Sequence, residues 1–247
     1  MNQLPGKVSK NILVIGSSSF VGRALIKDLS TTNNIICIDK KKAKKILPKN
    51  VIYFQSDVKN IKKLSLIKKK KKKKIKKIDI IINCFVEQNY LSFEKQNYEK
   101  FNKSLTTNVS GIFLVTKIFY KLLQKSKNPQ IINFGSIYGI ISGDPKIYPN
   151  DKVTSDVYAA SKAAIIQLTK YYAIHLNKYK IRVNCISPGG IFNYQNKKLI
   201  KNYTKKVPMK RMASIEEIVE SVKLLMSDKC KYINGHNLVV DGGMTSW

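Results

Sequence analysis

Apolar residues gather in short runs at 11–15, 35–38, 51–54, 78–82, 130–134, 182–186 and 237–240, and each run reads as a strand. Between them lie helix-like stretches, among them 23–29, 111–123 and 158–173, the last rich in Ala and free of Gly and Pro. Strands alternating with helices predict an α/β chain: one doubly wound parallel sheet of about seven strands with helices on both faces. With 247 residues the whole chain, 1–247, fits one such domain with a substantial core. No internal repeat or long Gly/Ser/Pro linker divides it. The stretches 142–156 and 192–211 read as insertions or mobile loops beside the chemistry described next.

Two segments interpret each other. Gly16-Ser-Ser-Ser-Phe-Val-Gly22 follows the first apolar run and opens the helical stretch at 23–29. Strand, glycine turn and helix N-terminus together form the arrangement that holds a dinucleotide pyrophosphate on backbone N–H groups. Tyr158 and Lys162 stand one helical turn apart on one face. A neighbouring ammonium favours phenolate, which would let Tyr158 exchange protons despite a free pKa of about 10. Hydride transfer with a nicotinamide is the chemistry both segments serve.

The Tyr-x-x-x-Lys spacing occurs three times, at Tyr148/Lys152, Tyr158/Lys162 and Tyr194/Lys198. Only the middle pair begins a credible helix. Pro149 disfavours helical geometry at Tyr148, and Tyr194 sits in a polar stretch without an apolar stripe.

Composition narrows the function classes. The formal net charge is +31, yet Lys is dispersed and accompanied by Asn and Ile, while Arg stands only at 23, 182 and 211. That is the signature of an AT-rich genome more than of a phosphate-reading surface, where Arg is expected. The Lys68–Lys74 run falls where a helix should join two strands and reads as a solvated face, not a nucleic-acid patch. Four scattered Cys and two His give neither a disulfide framework nor a metal site. No apolar stretch is of membrane-spanning length and residues 1–10 lack a secretory core, so a cytoplasmic protein without a membrane partner is expected.

Further motifs come in order: Asp79-Ile-Ile-Ile-Asn83, Asn108-Val-Ser-Gly111, Asn133-Phe-Gly-Ser136, Ser187-Pro-Gly-Gly-Ile191 and Asn234 to Gly243. With the glycine turn and Tyr158/Lys162, the chain resembles the short-chain dehydrogenase/reductase family over essentially its whole length. The segments Gly135–Gly139, 157–160 and 187–192 are similar more narrowly to the flagellin modification protein A group, bacterial oxidoreductases associated with nonulosonic-acid-type surface sugars. The resemblance implies a Rossmann fold and an NAD(P)-dependent enzyme interconverting CH–OH and carbonyl groups. The narrower likeness implies a sugar phosphate or nucleotide sugar in surface-glycan biosynthesis.

Carried over residue by residue, the resemblance makes Tyr158 the general acid/base. Lys162 would lower its pKa and hold the nicotinamide ribose, Ser136 would bond the reacting oxygen, and Asn108 would help hold a water linking Lys162 to solvent. Singly, each has a plainer alternative: Ser136 as a turn residue, Asn108 as a satisfied helix polar group, Tyr158/Lys162 as a solvated pair. For the cofactor it implies Gly16, Ser18, Ser19, Phe20, Val21 and Gly22 at the pyrophosphate, Asp57 and Val58 at adenine, Asn83 beneath the cofactor, and Pro188, Gly189 and Ile191 at the nicotinamide amide. Asp57 has the alternative of capping the next helix. Asp39, at the end of the second strand, would accept the adenosine ribose hydroxyls and repel a 2′-phosphate, favouring NAD over NADP; Lys40, Lys41 and Lys42 keep NADP open. Two departures stand out. Phe20 replaces the usual third glycine, and Ser136 and Tyr158 are 22 residues apart, wider than usual, with Tyr148 at the ordinary separation. The family also implies a homo-oligomer, a tetramer, to which the apolar surplus of 111–123 and 163–176 and the terminal Trp247 lend support. A catalytically inactive dinucleotide-binding sensor or scaffold and a nucleic-acid-binding protein are the alternatives from other classes.

Overall fold

A computed structural model of the chain describes residues 9–43, 47–70, 75–88, 90–149 and 154–247. Seven strands, β1 (Asn11–Ile15), β2 (Asn34–Asp39), β3 (Val51–Gln55), β4 (Ile80–Asn83), β5 (Gln130–Phe134), β6 (Arg182–Pro188) and β7 (Asn237–Val240), make one parallel sheet. Their order is β3-β2-β1-β4-β5-β6-β7. The chain runs outward from β1 to β3, then crosses back to β4 on the other side of β1. The connections leaving β1 and β4 therefore diverge, and a crevice opens at the carboxyl ends of these strands.

Helices α1 (Phe20–Leu29) and α7 (Ile215–Met226) cover one face of the sheet, and α2 (Ile61–Lys70), α4 (Gly111–Leu123) and α5 (Asp156–His175) cover the other. Alternate side chains of each strand serve the two layers: Leu13, Ile36 and Ile81 pack on Leu64, Val115 and Ile165, while Ile12, Ile35 and Ile80 pack on Leu25, Ile218 and Val222. A strand buried on both sides has no polar alternation, which is why the apolar runs are nearly continuous. Each buried Ile or Leu contributes about 1.5–3 kcal/mol.

All seven expected strands form, with small shifts of boundary. β4 begins at Ile80 and not at Ile78 because Asp79 anchors the amino end of the sheet: its carboxylate accepts the Asn11 N–H at 2.8 Å, the Ser126 hydroxyl at 2.5 Å and the Lys77 ammonium at 3.0 Å. The helix carrying Tyr158 starts two residues earlier than expected, capped by the Ser155 hydroxyl on the Tyr158 N–H at 3.4 Å. α2 joins β3 to β4, turning Leu64 and Ile67 inward and leaving Lys68 half-buried and Lys69 exposed; residues 71–74 of the charge run lie outside the described residues.

The stretch 192–211 is not a loop throughout. It contains α6 (Lys197–Lys206), in which Leu199, Ile200 and Tyr203, with Val207 beyond, repeat at helical spacing. That stripe packs on Ile147, Met212 and Met244; the surrounding Lys and Asn conceal it in the sequence. In 142–156 the described part holds a single 3₁₀ turn, Pro145–Ile147, and residues 150–153 lie outside the described residues. α3 (Tyr98–Leu105) runs into α4 through a π-helical turn, Thr106–Ser110. Among the described residues no helix is long and apolar enough to cross a membrane.

Candidate active site

β1 ends at Ile15 and the chain turns through Gly16 at φ +82°. A Cβ at Gly16 would lie 2.4 Å from the Phe85 amide nitrogen, so backbone from β4 closes on the turn. Ser19 caps α1, its hydroxyl accepting the Gly22 N–H at 2.9 Å. A Cβ at Gly22 would lie 2.4 Å from the Gly16 carbonyl oxygen, so a glycine is needed where the helix starts under the turn. The N–H groups of Phe20 and Val21, in the first helical turn, have no intrahelical acceptor, and such an end favours a pyrophosphate. Phe20 occupies the first helical position and lines the crevice beside Val21.

The crevice divides into two connected clefts. The smaller, about 310 Å³, is walled by Gly16, Ser18, Asp39, Asp57, Val58 and Glu87. The larger, about 590 Å³, is walled by Phe20, Val21, Ser136, Tyr158, Lys162, Pro188, Gly189 and Ile191. Ser19, Phe85, Val86 and Gln88 belong to both, so the two form one trough along the strand ends. Its shape, glycine turn and donor set fit a dinucleotide, with Asp39 and Asp57 lining one end of the trough and Tyr158 and Lys162 the other. Asn83 stands apart from the expected cofactor residues: it is buried in the sheet, its amide donating to Asn133 at 2.9 Å, and the chain reaches the trough only with Cys84 and Phe85. Phe85, Glu87 and Gln88, which sequence reasoning missed, are found from their position after the central strand.

Asp39 accepts the Ser18 N–H at 2.8 Å and the Lys41 N–H at 2.9 Å, one on each carboxylate oxygen. Each oxygen keeps lone-pair capacity for a ribose hydroxyl. Asp57 does not cap α2; its carboxylate accepts the Lys59 N–H at 2.8 Å, and the cap is Asn60, on the Lys63 N–H at 2.9 Å.

Ser136 follows β5; its hydroxyl accepts the Tyr138 N–H at 3.2 Å and lies near enough to the Tyr158 phenol to favour the charged form. Lys162 lies one turn beyond Tyr158 on α5, buried, its ammonium donating to the Phe134 carbonyl at 2.7 Å and standing 5.6 Å from the centre of the Tyr158 ring. Burial pushes the Tyr158 phenol up to about 12, with the Ser136 hydroxyl opposing. Desolvation brings Lys162 down to about 8. In the chain alone desolvation dominates at the Tyr158 phenol, and the Lys162 ammonium meets the ring face and the Phe134 carbonyl. At neutral pH the phenol is protonated.

Tyr148 lines the same cleft. It is extended at ψ 124°, as its following proline dictates, and its hydroxyl donates to Tyr138 at 2.8 Å and pairs with Thr154 at 2.5 Å. Tyr194 is exposed on a loop at φ +54°. Of the three Tyr-x-x-x-Lys pairs, the one at Tyr158 lies on a helix with Ser136 beside it.

Asn108 sits fully buried in the π-helical turn. Its side-chain amide accepts the Glu87 N–H at 2.7 Å and donates to the Glu87 carbonyl at 3.1 Å and the Ser161 hydroxyl at 3.1 Å. It thus fastens the loop after β4 to the helix of Tyr158 and Lys162, and reaches that helix through Ser161. On the same loop, the Glu87 carboxylate meets Lys40 at 3.1 Å and Lys103 at 2.9 Å. Burial works against its charge, but the Lys103 and Lys40 ammoniums hold it below the usual carboxylate range.

Known proteins share this architecture. The profile of the family described as enoyl-(acyl carrier protein) reductase matches residues 35–245. The 3-oxoacyl-acyl-carrier-protein reductase FabG of Buchnera aphidicola subsp. Baizongia pistaciae is 29% identical over 253 residues, covering 96% of this chain and 98% of its own. The post-translational flagellin modification protein A of Campylobacter coli is 27% identical, with 95% and 98% covered. The crystal structure of a short chain dehydrogenase from Leptospira borgpetersenii serovar Hardjo-bovis with bound NAD+ superposes with a TM-score of 0.91 at 35% identity, covering 99% of this chain and 98% of that one.

Proposed function

This chain belongs to the short-chain dehydrogenase/reductase family and is an oxidoreductase; from that premise we propose that it interconverts a hydroxyl and a carbonyl on a hydroxylated, sugar-like substrate, with NAD as the dinucleotide. One observation carries the reading: the Ser136–Tyr158 hydroxyl pair, backed by buried Lys162, faces the cleft that opens from the glycine turn.

The bound nicotinamide supplies or takes the hydride. The rest is the work of the chain's own groups. Ser136 and Tyr158 hold the substrate oxygen between them, and Tyr158 gives it a proton in the reducing direction or takes one in the oxidising direction. Lys162 is positioned to hold the ribose and to offset charge on the phenolate left behind. Asn108 keeps the loop and the helix in register.

Beyond these groups the larger cleft is lined by Tyr90, Tyr138, Tyr148, Thr154, Gln195 and Tyr203, with Ile147, Leu199 and Met212. Among the described residues that line it, Lys162 is the only charged one. Phenols, a hydroxyl and an amide suit the neutral hydroxylated ring of a sugar, so a phosphate or nucleotide attached to the substrate would extend outside. The likeness to flagellin modification protein A supports a role in making surface glycans. A screen of free sugars, sugar phosphates and nucleotide sugars, followed by absorbance of the reduced cofactor, tests this; turnover confined to acyl thioesters would defeat it.

NAD is favoured by Asp39 and by the NAD+ held in the Leptospira relative. Asp39→Ala is expected to shift relative affinity towards NADP by about tenfold, through loss of a ribose acceptor and of a repelling charge. Titration of both reduced dinucleotides checks it; an unchanged ratio would remove Asp39 from the adenosine ribose.

We also propose a homotetramer. Phe113 on α4, Tyr171 and Ile174 on α5 and the terminal Trp247 are exposed, with Ile174 at 74% and Trp247 at 82%, which is apolar surface a second copy would cover. Light scattering at moderate ionic strength should give four times the chain mass; a monomer with full activity would refute the assembly. The net charge of +31 should loosen it at low salt.

A further inference from the structure

The smaller cleft is walled by three carboxylates, of Asp39, Asp57 and Glu87, and by two lysines, Lys40 and Lys41. Lys40 directly follows Asp39, where a free ammonium would meet the 2′-phosphate of NADP and cancel the repulsion from Asp39. It is not free. Its Nζ lies 3.1 Å from Glu87 Oε2, while Lys103 Nζ lies 2.9 Å from Oε1, so each carboxylate oxygen has its own ammonium. The two halves of the Lys40–Glu87 contact differ in rigidity. The Lys40 side chain is 55% exposed and Glu87 only 20%. The Glu87 main chain is also clasped at both N–H and carbonyl by buried Asn108. Glu87 is the fixed member and Lys40 the movable one.

We propose that Glu87 is a specificity-determining residue for the dinucleotide: it draws the Lys40 ammonium away from the adenosine ribose and adds a third negative charge to the pocket wall. The inference rests on reading this cleft as the adenosine site. A 2′-phosphate carries about −1.5 to −2 charges near neutral pH. To bind it, Lys40 must leave Glu87, and the carboxylate then remains as a like charge on the same wall. NAD, with two neutral ribose hydroxyls, requires neither. Glu87 thus answers the ambiguity in the sequence, where Lys40 beside Asp39 argues for either dinucleotide.

The test is a double-mutant cycle read by nicotinamide fluorescence, with NADH and NADPH titrated at one fixed ionic strength. Glu87→Gln keeps the side chain's shape and leaves the main-chain clasp of Asn108 in place. It should lower the ratio of the NADPH Kd to the NADH Kd by about three- to tenfold, the effect of one partly screened charge. Lys40→Gln in the wild-type background should change that ratio by less than about twofold, because the ammonium is already engaged; combined with Glu87→Gln it should erase the gain, giving non-additive effects. An unchanged ratio in Glu87→Gln, or a severalfold loss of NADPH affinity in Lys40→Gln alone, would overturn the proposal. If the wild-type chain bound neither dinucleotide, the reading of the cleft itself would fall, and that control separates the two failures.

Discussion

Replacing Tyr158 with Phe is expected to lower turnover by about 10²- to 10⁴-fold, the usual worth of a positioned proton donor, while NADH affinity changes little. The substitution removes one oxygen, the one influenced by Ser136, and keeps the ring against which the Lys162 ammonium packs. The glycine turn, Asp39 and the Pro188–Gly189 segment are untouched, so the contacts proposed for the cofactor survive. The same change at Tyr148 is the control. Its hydroxyl belongs to a chain with Tyr138 and Thr154, and losing it should raise KM more than it lowers kcat. Steady-state kinetics of both variants separate the two tyrosines. If Tyr148→Phe proved inactive and Tyr158→Phe active, the proton donor would have been misassigned.

Gly16→Ala should be as damaging, through structure and not chemistry. Alanine at φ +82° is strained, and its Cβ would fall 2.4 Å from the Phe85 amide nitrogen and 2.5 Å from the Phe85 Cα. Both are backbone atoms of the segment leaving β4, so no side chain can swing aside to relieve the contact. β1 and β4 must part or the turn must change its path, and the expected loss of stability is about 3 kcal/mol or more. Because Phe85 lines both clefts, any variant that folds should also bind NADH weakly. Chemical denaturation with a parallel NADH titration reads both effects. Wild-type stability and affinity together would mean that the turn tolerates a side chain and does not carry the pyrophosphate.

The strands were legible because both faces of the sheet are covered, so Ile12, Leu13 and Val14 read as an uninterrupted apolar run. The helix that carries Tyr158 was legible because its Ala-rich run lacks Gly and Pro, and the extended backbone at Tyr148 because a proline follows it. What the sequence concealed arises from contacts between distant segments. The stripe of α6 is three or four apolar residues among Lys and Asn, and it becomes a helix by packing on Ile147 and Met212. The sequence singled out Asn108, but that it clasps Glu87, 21 residues away, follows only from the way β4 and the π-helical turn meet. Phe85 and Glu87 carry no motif of their own.

The central claim is that one trough holds a nicotinamide dinucleotide with its reacting ring against Tyr158. A crystal structure of the chain grown with saturating NADH tests it most directly. The account predicts adenosine between Asp39 and Asp57, pyrophosphate on the N–H groups of the first turn of α1, and the nicotinamide beside Tyr158 with its ribose on Lys162 and its amide on the backbone near Pro188. A dinucleotide bound elsewhere, or a trough left empty at saturation, would contradict it.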